Sequence, residues 1–201
     1  GNLGARSMTH IGSGSSSQVD GGGLNLGQIS NTQIISNEFR SNIGVNELSH
    51  SGSDWIGGSS GGGLHLNEND LVTITNNLIQ ENLAVPPQGT GSTYSQAFGG
   101  GLYVQSYTAP LIEDNTIRSN RAGNEKTNNQ TGSGGGLAIY SMSPGYTPVV
   151  SRNLIQDNVG SDFGGGVFFG GWNAKKCCHR RDDFIEDLTV EHAFFHGQGR
   201  K

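Results

Sequence analysis

Gly61-Gly62-Gly63-Leu64-His65-Leu66, followed eleven residues later by Asn77-Leu78-Ile79-Gln80-Glu81-Asn82, is the unit from which this chain is built. Glycine triplets begin at Gly21, Gly61, Gly99 and Gly134, each leading into an apolar-x-apolar triple: Leu24/Leu26, Leu64/Leu66, Leu102/Val104 and Leu137/Ile139. A second motif follows each one, apolar-x-x-Asn-x-apolar-x-x-Asn. It reads Ile34/Asn37/Phe39/Asn42, Ile74/Asn77/Ile79/Asn82, Ile112/Asn115/Ile117/Asn120 and Val150/Asn153/Ile155/Asn158. A fifth triplet at Gly164 opens another copy with Val167 and Phe169 but does not reach its asparagines. Serial repetition of this kind is the signature of a solenoid, in which each copy buries its apolar face on the next.

The copies start 40, 38, 35 and 30 residues apart, and the variation is confined. From the first glycine to the second asparagine is 22 residues in three copies; the fourth has 25, its extra residues assigned to the region of Ser143-Pro144-Gly145. The link from that asparagine to the next triplet shrinks instead, through 18, 16, 13 and 5 residues. A constant coil with one elastic corner is what a solenoid gives when loops leave from a single edge. Asn2-Leu3-Gly4 reads like Asn42-Ile43-Gly44, so the chain is expected to begin in mid-coil as a piece of a longer solenoid.

Within the constant part, Leu64-His65-Leu66 alternates in, out, in, with the period of a strand. Val72-Thr73-Ile74 is a second short strand and Ile79 points inward after the next turn. Asparagine tolerates left-handed backbone angles, so the asparagines are expected to turn the corners. The small residue two places beyond the second one (Gly44, Ala84, Ala122, Gly160) fits where the coil closes. Stacked coils would put like on like about 4.8 Å apart. The columns Asn37/Asn77/Asn115/Asn153 and Asn42/Asn82/Asn120/Asn158 would then form amide ladders. An asparagine at the same corner of every coil is a structural device, since a reaction needs its group only once.

This motif pair resembles the repeats of right-handed parallel β-helix proteins, the superfold of pectate lyases and polygalacturonases. It is closest to bacterial surface and autotransporter-passenger β-helices. The resemblance implies an all-β fold, a single-stranded right-handed parallel β-helix of about five coils over residues 1–171. Right-handed winding is also what crossover chirality predicts. Residues 172–201 leave the pattern and hold both cysteines, half of the histidines and half of the Lys and Arg. Asp182 to Phe195 reads as a short amphipathic helix; the tail is either a cap on the open end or a segment foreign to the fold.

Thirty-four glycines and 32% hydrophobic residues approach a disordered composition, but disorder does not place leucines and asparagines at fixed offsets. The net charge of −5 is mild and spread along the chain, which speaks against nucleic acid as a partner. No apolar run reaches the length of a membrane-spanning helix, so no direct insertion is expected. No cofactor or metal is expected either. His179 beside Cys177-Cys178 lacks zinc spacing, and Asn67-Glu68-Asn69-Asp70 lacks the calcium-loop pattern.

No catalytic residue stands out. Lyases of the superfold pair carboxylates with an arginine on one strand face, yet the outward residues of the first strand are Asn25, His65, Tyr103, Ala138 and Phe168. Function is therefore sought in the elastic loops. His10 and His50 each lie eight residues past the asparagine that opens their loop and are expected one above the other. With Asp54, Trp55, Tyr94 and Phe98, His50 makes the candidate ligand-binding set: aromatic rings stack on sugars or anchor a protein. The expected role is an extracellular or cell-surface scaffold or adhesin, its partner a polysaccharide or a cell-surface protein. The alternative is a fragment of a lyase, hydrolase or epimerase of acidic polysaccharide.

Overall fold

The computed structural model describes residues 3–11, 19–28, 30–51, 58–67, 71–84, 88–90, 95–106, 110–123, 130–141, 148–161 and 163–171. The proposed tail helix lies outside them, as does the insertion around Pro144. Every strand pairing is parallel, and the strands sort into five sheets that each collect one segment from successive coils. The chain is an all-β parallel solenoid.

Sheet I holds the glycine-led strands Leu24–Gly27, Leu64–Asn67, Leu102–Ser106, Leu137–Ser141 and Val167–Gly171. Sheet II holds Gln33–Ile35, Thr73–Thr75, Leu111–Glu113 and Val149–Ser151. Sheet III holds Glu38–Arg40, Leu78–Gln80, Thr116–Arg118 and Leu154–Gln156. Sheet IV holds Leu3–Ile11, Ile43–Ser51, Leu83–Ala84, Arg121–Ala122 and Val159–Gly160, with Gln88–Thr90 as a sixth strand on the far end of Ile43–Ser51. Sheet V, just before the triplets, holds Val19–Asp20, Ser59–Ser60, Ser95–Phe98 and Gln130–Ser133.

The register is the one the repeats dictate. Leu64 faces Leu102, Ile74 faces Ile112, and Ile79 faces Ile117. Leu3 faces Ile43, so the first strand occupies the position inferred from Asn2-Leu3-Gly4. Leu111 pairs with Val149 although it follows Ser106 by five positions and Val149 follows Ser141 by eight, which locates the fourth coil's extra residues between Ser141 and Val149.

Four inward side chains per coil fill the interior. Leu64, Leu66, Ile74 and Ile79 are fully buried, as are Leu102, Val104, Ile112 and Ile117 above them. In the first coil Leu24, Leu26 and Phe39 are only partly covered. Each buried aliphatic contributes about 1.5–3 kcal/mol, so few apolar residues suffice when all of them share one column. Ala84, Ala97 and Ala122 form a separate small cluster where the coil closes, as the small residues at that position suggest.

The amide ladders are present. The side-chain oxygen of Asn120 accepts the backbone N–H of Asn82 at 3.0 Å and its side-chain amide at 2.9 Å. Asn120 in turn donates its own amide to Ile79 O and to Asn158 Oδ1, at 2.8 and 3.0 Å. The other column repeats this through Asn37, Asn77, Asn115 and Asn153, with a further bond from each amide to the carbonyl two residues earlier. The buried amides are thus satisfied on both sides, which in a dry interior is what makes them tolerable.

One expectation is corrected. The asparagines do not turn the corners; the residue before each one does. Ser36, Ser41, Asn76, Glu81, Asp114, Ser119, Arg152 and Asp157 all have φ between 52° and 57°. That conformation is unfavourable for residues with a Cβ, by about 1–2 kcal/mol each. It persists because the strand on one side and the ladder amide on the other fix both neighbours.

The glycine triplet and the second asparagine are parts of one device. In the third coil, Gly99 is left-handed at φ 58°. A side chain on Gly100 would run into the backbone of Arg121 and the carbonyl of Gly135. A Cβ on Gly101 would stand 2.9 Å from Cγ of Asn120 and 2.7 Å from Gly136 O. The third glycine therefore makes the space that the second ladder occupies, and Gly23, Gly63 and Gly136 stand likewise against Asn42, Asn82 and Asn158.

Two substitutions separate the two roles. Ser119→Gly, which relieves a left-handed residue, is expected to change stability by under about 1 kcal/mol. Asn120→Gly leaves Asn82 and Ile79 without their partners, at about 1–3 kcal/mol for each orphaned group. Urea unfolding followed by circular dichroism measures both.

Candidate functional site

Of the five residues expected to bind ligand, His50 and Phe98 fall on different strands of the described region. Asp54, Trp55 and Tyr94 lie outside the described residues. His50 lies on Ile43–Ser51, opposite His10 of Leu3–Ile11 and opposite Gly89 of Gln88–Thr90. The vertical alignment of the two histidines is therefore present in the backbone register.

Phe98 ends a strand immediately before Gly99, which sends its ring across the outer surface of sheet I rather than out along the loop edge. There it stacks on Tyr103, with ring centroids 5.8 Å apart and planes 30° apart, and meets Phe168 at 6.1 Å. Tyr103 lies 5.1 Å from His65, and its hydroxyl bonds to Gln105 Oε1 at 3.1 Å. Tyr103, Ala138 and Phe168 are the outward residues of consecutive coils, and Phe98, Tyr140 and Phe163 pack against them. Gly170 leaves room for the Tyr140 ring, against which a Cβ would stand 2.6 Å away.

This layer is a second apolar cluster, on the outside of the coil. Asn25 in the first coil is exposed, whereas His65 is only 2% exposed and Tyr103 only 6%. The sequence showed the outward file but not its burial. Its signal was the series of types at that position, from Asn25 through His65 and Tyr103 to Phe168. Aromatic stacking across coils adds about 0.5–1.5 kcal/mol per pair beyond area burial.

Polar chemistry concentrates on the outer surfaces of sheets II and III. Arg118 donates two hydrogen bonds to Gln80 Oε1, at 2.9 and 2.8 Å. Gln80 donates to Glu81, which also accepts from Ser41, so one chain of side-chain bonds crosses three coils. At the adjacent corner Arg152 bridges Glu113 at 2.8 Å and Asp114 at 2.9 Å, while Ser151 donates to Glu113 at 2.7 Å. The hydrogen bond from Arg152 holds the Asp114 carboxyl below its ordinary range, and the guanidinium is held further above its own. The two carboxylates are consecutive and share one cation, which makes them a strap between coils three and four. Among the described residues, no group of three or more His, Cys, Asp or Glu stands together to hold a metal ion. No helix among them is long and apolar enough to cross a membrane.

No family model, curated protein or solved structure matches the chain. The class is therefore defined by the coil itself: a parallel β-solenoid with two internal asparagine ladders, an outer aromatic layer, and links of unequal length.

Two measurements check the site geometry. Phe98→Ala should cost about 1–3 kcal/mol of unfolding free energy, from lost burial and stacking. The Asp114 carboxyl, followed by NMR, should titrate below the ordinary aspartate range and return to it in Arg152→Ala. Because its folded value is depressed, its contribution is present at neutral pH and is lost as pH falls through that titration. At an exposed site the contribution is small.

Proposed function

We propose that the chain is a non-catalytic segment of an extracellular or cell-surface solenoid, whose links carry adhesion or glycan binding. The paired glycine and asparagine motifs of the sequence resemble those of bacterial surface β-helix repeats. The observation that carries the reading is the contrast between constant coils and links of 18, 16, 13 and 5 residues. Coils held in register by core and ladders give a rigid rod, and loops of differing length along one edge give a surface on which binding residues can vary without disturbing the rod. Trp55 and Tyr94 lie in two of these links and bring the ring faces suited to sugars or to a protein partner.

The test is a glycan array and a cell-binding assay with the 201-residue chain. Saturable binding that is lost in Trp55→Ala or Tyr94→Ala, with unfolding unchanged, is the expected result. Binding to no saccharide and no cell surface would leave the chain a spacer. Release of unsaturated or reducing sugars from a uronate polymer, abolished by His50→Ala and Asp54→Ala together, would show the enzyme reading to be right instead.

A further inference from the structure

The first and fourth coils differ in how bare they are. In the first, Asn37 is exposed and Phe39 only half-buried. In the fourth, the equivalent Asn153 is 4% exposed, and Ile155 and Val150 are each 1% exposed. Yet Val149–Ser151 and Leu154–Gln156 end the order of strands in sheets II and III, and among the described residues no strand lies over them. The fourth coil also lacks an acceptor. Asn115 donates its backbone N–H and its amide to Asn153 Oδ1, at 3.0 and 2.9 Å. Asn153 places its own amide on Ile112 O and Ser151 O, as the lower asparagines do on the equivalent carbonyls. Its backbone N–H has no acceptor among the described residues, although every lower asparagine of the column has the next one's oxygen. A buried N–H is ordinarily paired.

We propose that residues 172–201 close this end of the solenoid, with Asp183 as the last rung of the Asn37/Asn77/Asn115/Asn153 ladder. The register already present leads there. Gly171 pairs with Ser141, and twelve residues take Ser141 to Asn153; the same twelve take Gly171 to Asp183. Two places further on, Ile185 matches Ile155. In that register the Asp183 carboxylate accepts the N–H of Asn153, and Ile185 covers Ile155. An ionised carboxylate only accepts hydrogen bonds. It completes the ladder and has no hydrogen to pass to a further coil. The flanking motif positions hold Arg180 and Leu188 where the fourth coil has Val150 and Asn158, so the repeat ends with this one column. A strand edge closed in this way is not offered to another chain. Asp183 then belongs to an extended segment and not to the helix that the apolar spacing of Asp182 to Phe195 suggests.

The test is NMR on the full 201-residue chain, by amide hydrogen exchange and by couplings across hydrogen bonds. The Asn153 N–H should be protected as that of Asn115 is, and its nitrogen should couple to the Asp183 carboxyl carbon. Asp183→Ala should speed exchange at Asn153 about tenfold or more, the loss of a bond to a charged group, with Asn77 and Asn115 unchanged. Asp183→Asn, which keeps an acceptor oxygen, should retain the protection. The coupling is read in the unsubstituted chain, so the proposal stays open to refutation even if a variant fails to fold. An unprotected Asn153, an absent coupling, or protection unmoved by Asp183→Ala would overturn it. So would helical chemical shifts across Asp182 to Phe195, or protection that grows with chain concentration, which would put a second copy at this end instead.

Discussion

The hydrogen bond from one coil's asparagine backbone to the next coil's asparagine side chain is the constraint on which this structure turns. It is repeated in two columns, and in each the donor and acceptor come from the same position of adjacent repeats, 38 or 40 residues apart. An apolar column alone fixes composition but tolerates sliding, because leucine on isoleucine is nearly as good as leucine on leucine. A buried amide with one acceptor and two donor hydrogens does not tolerate it. A slip of one residue would leave each amide unpaired in a dry interior, with a penalty at every coil. The ladders therefore convert a greasy stack into one with a single register.

Other features follow from that register. The left-handed residues before each asparagine are held because the amide behind them cannot move. The third glycine of the first four triplets makes room for the second ladder, which couples two motifs that stand nineteen residues apart in the first three coils. The outer aromatic layer on sheet I and the Arg152 strap on sheet II are additions to a frame already fixed from within. They tie neighbouring coils together on the outside, where the ladders do not reach.

Much of the fold could be read from the residues. The triplets, the apolar triples and the paired asparagines recur with enough regularity to give coil boundaries, inward positions and ladder partners. The corners could not be read. The residues that adopt left-handed angles just before the ladder asparagines are serine, asparagine, glutamate, aspartate and arginine, which share no chemistry, because the neighbours enforce the conformation instead of the side chain choosing it. Asparagine's known tolerance of that region pointed one position too far along. The burial of His65 and Tyr103 was equally hidden, since alternation marks a position as outward without saying what lies over it. Of the candidate site, the alignment of His10 with His50 was legible from the repeat offset, whereas the placement of Phe98 against Tyr103 and Phe168 depends on a turn of the chain that periodicity does not record.

The central claim is that ladder amides, and not the apolar columns alone, set the register. It is tested most directly by NMR scalar couplings across hydrogen bonds, measured between the backbone nitrogen of Asn82 and the side-chain carbonyl carbon of Asn120. The account predicts a resolved coupling for this pair and for Asn77 with Asn115, together with side-chain amide protons that exchange slowly with solvent. Rapidly exchanging amides with no coupling, in a chain that still shows parallel strand contacts, would contradict it.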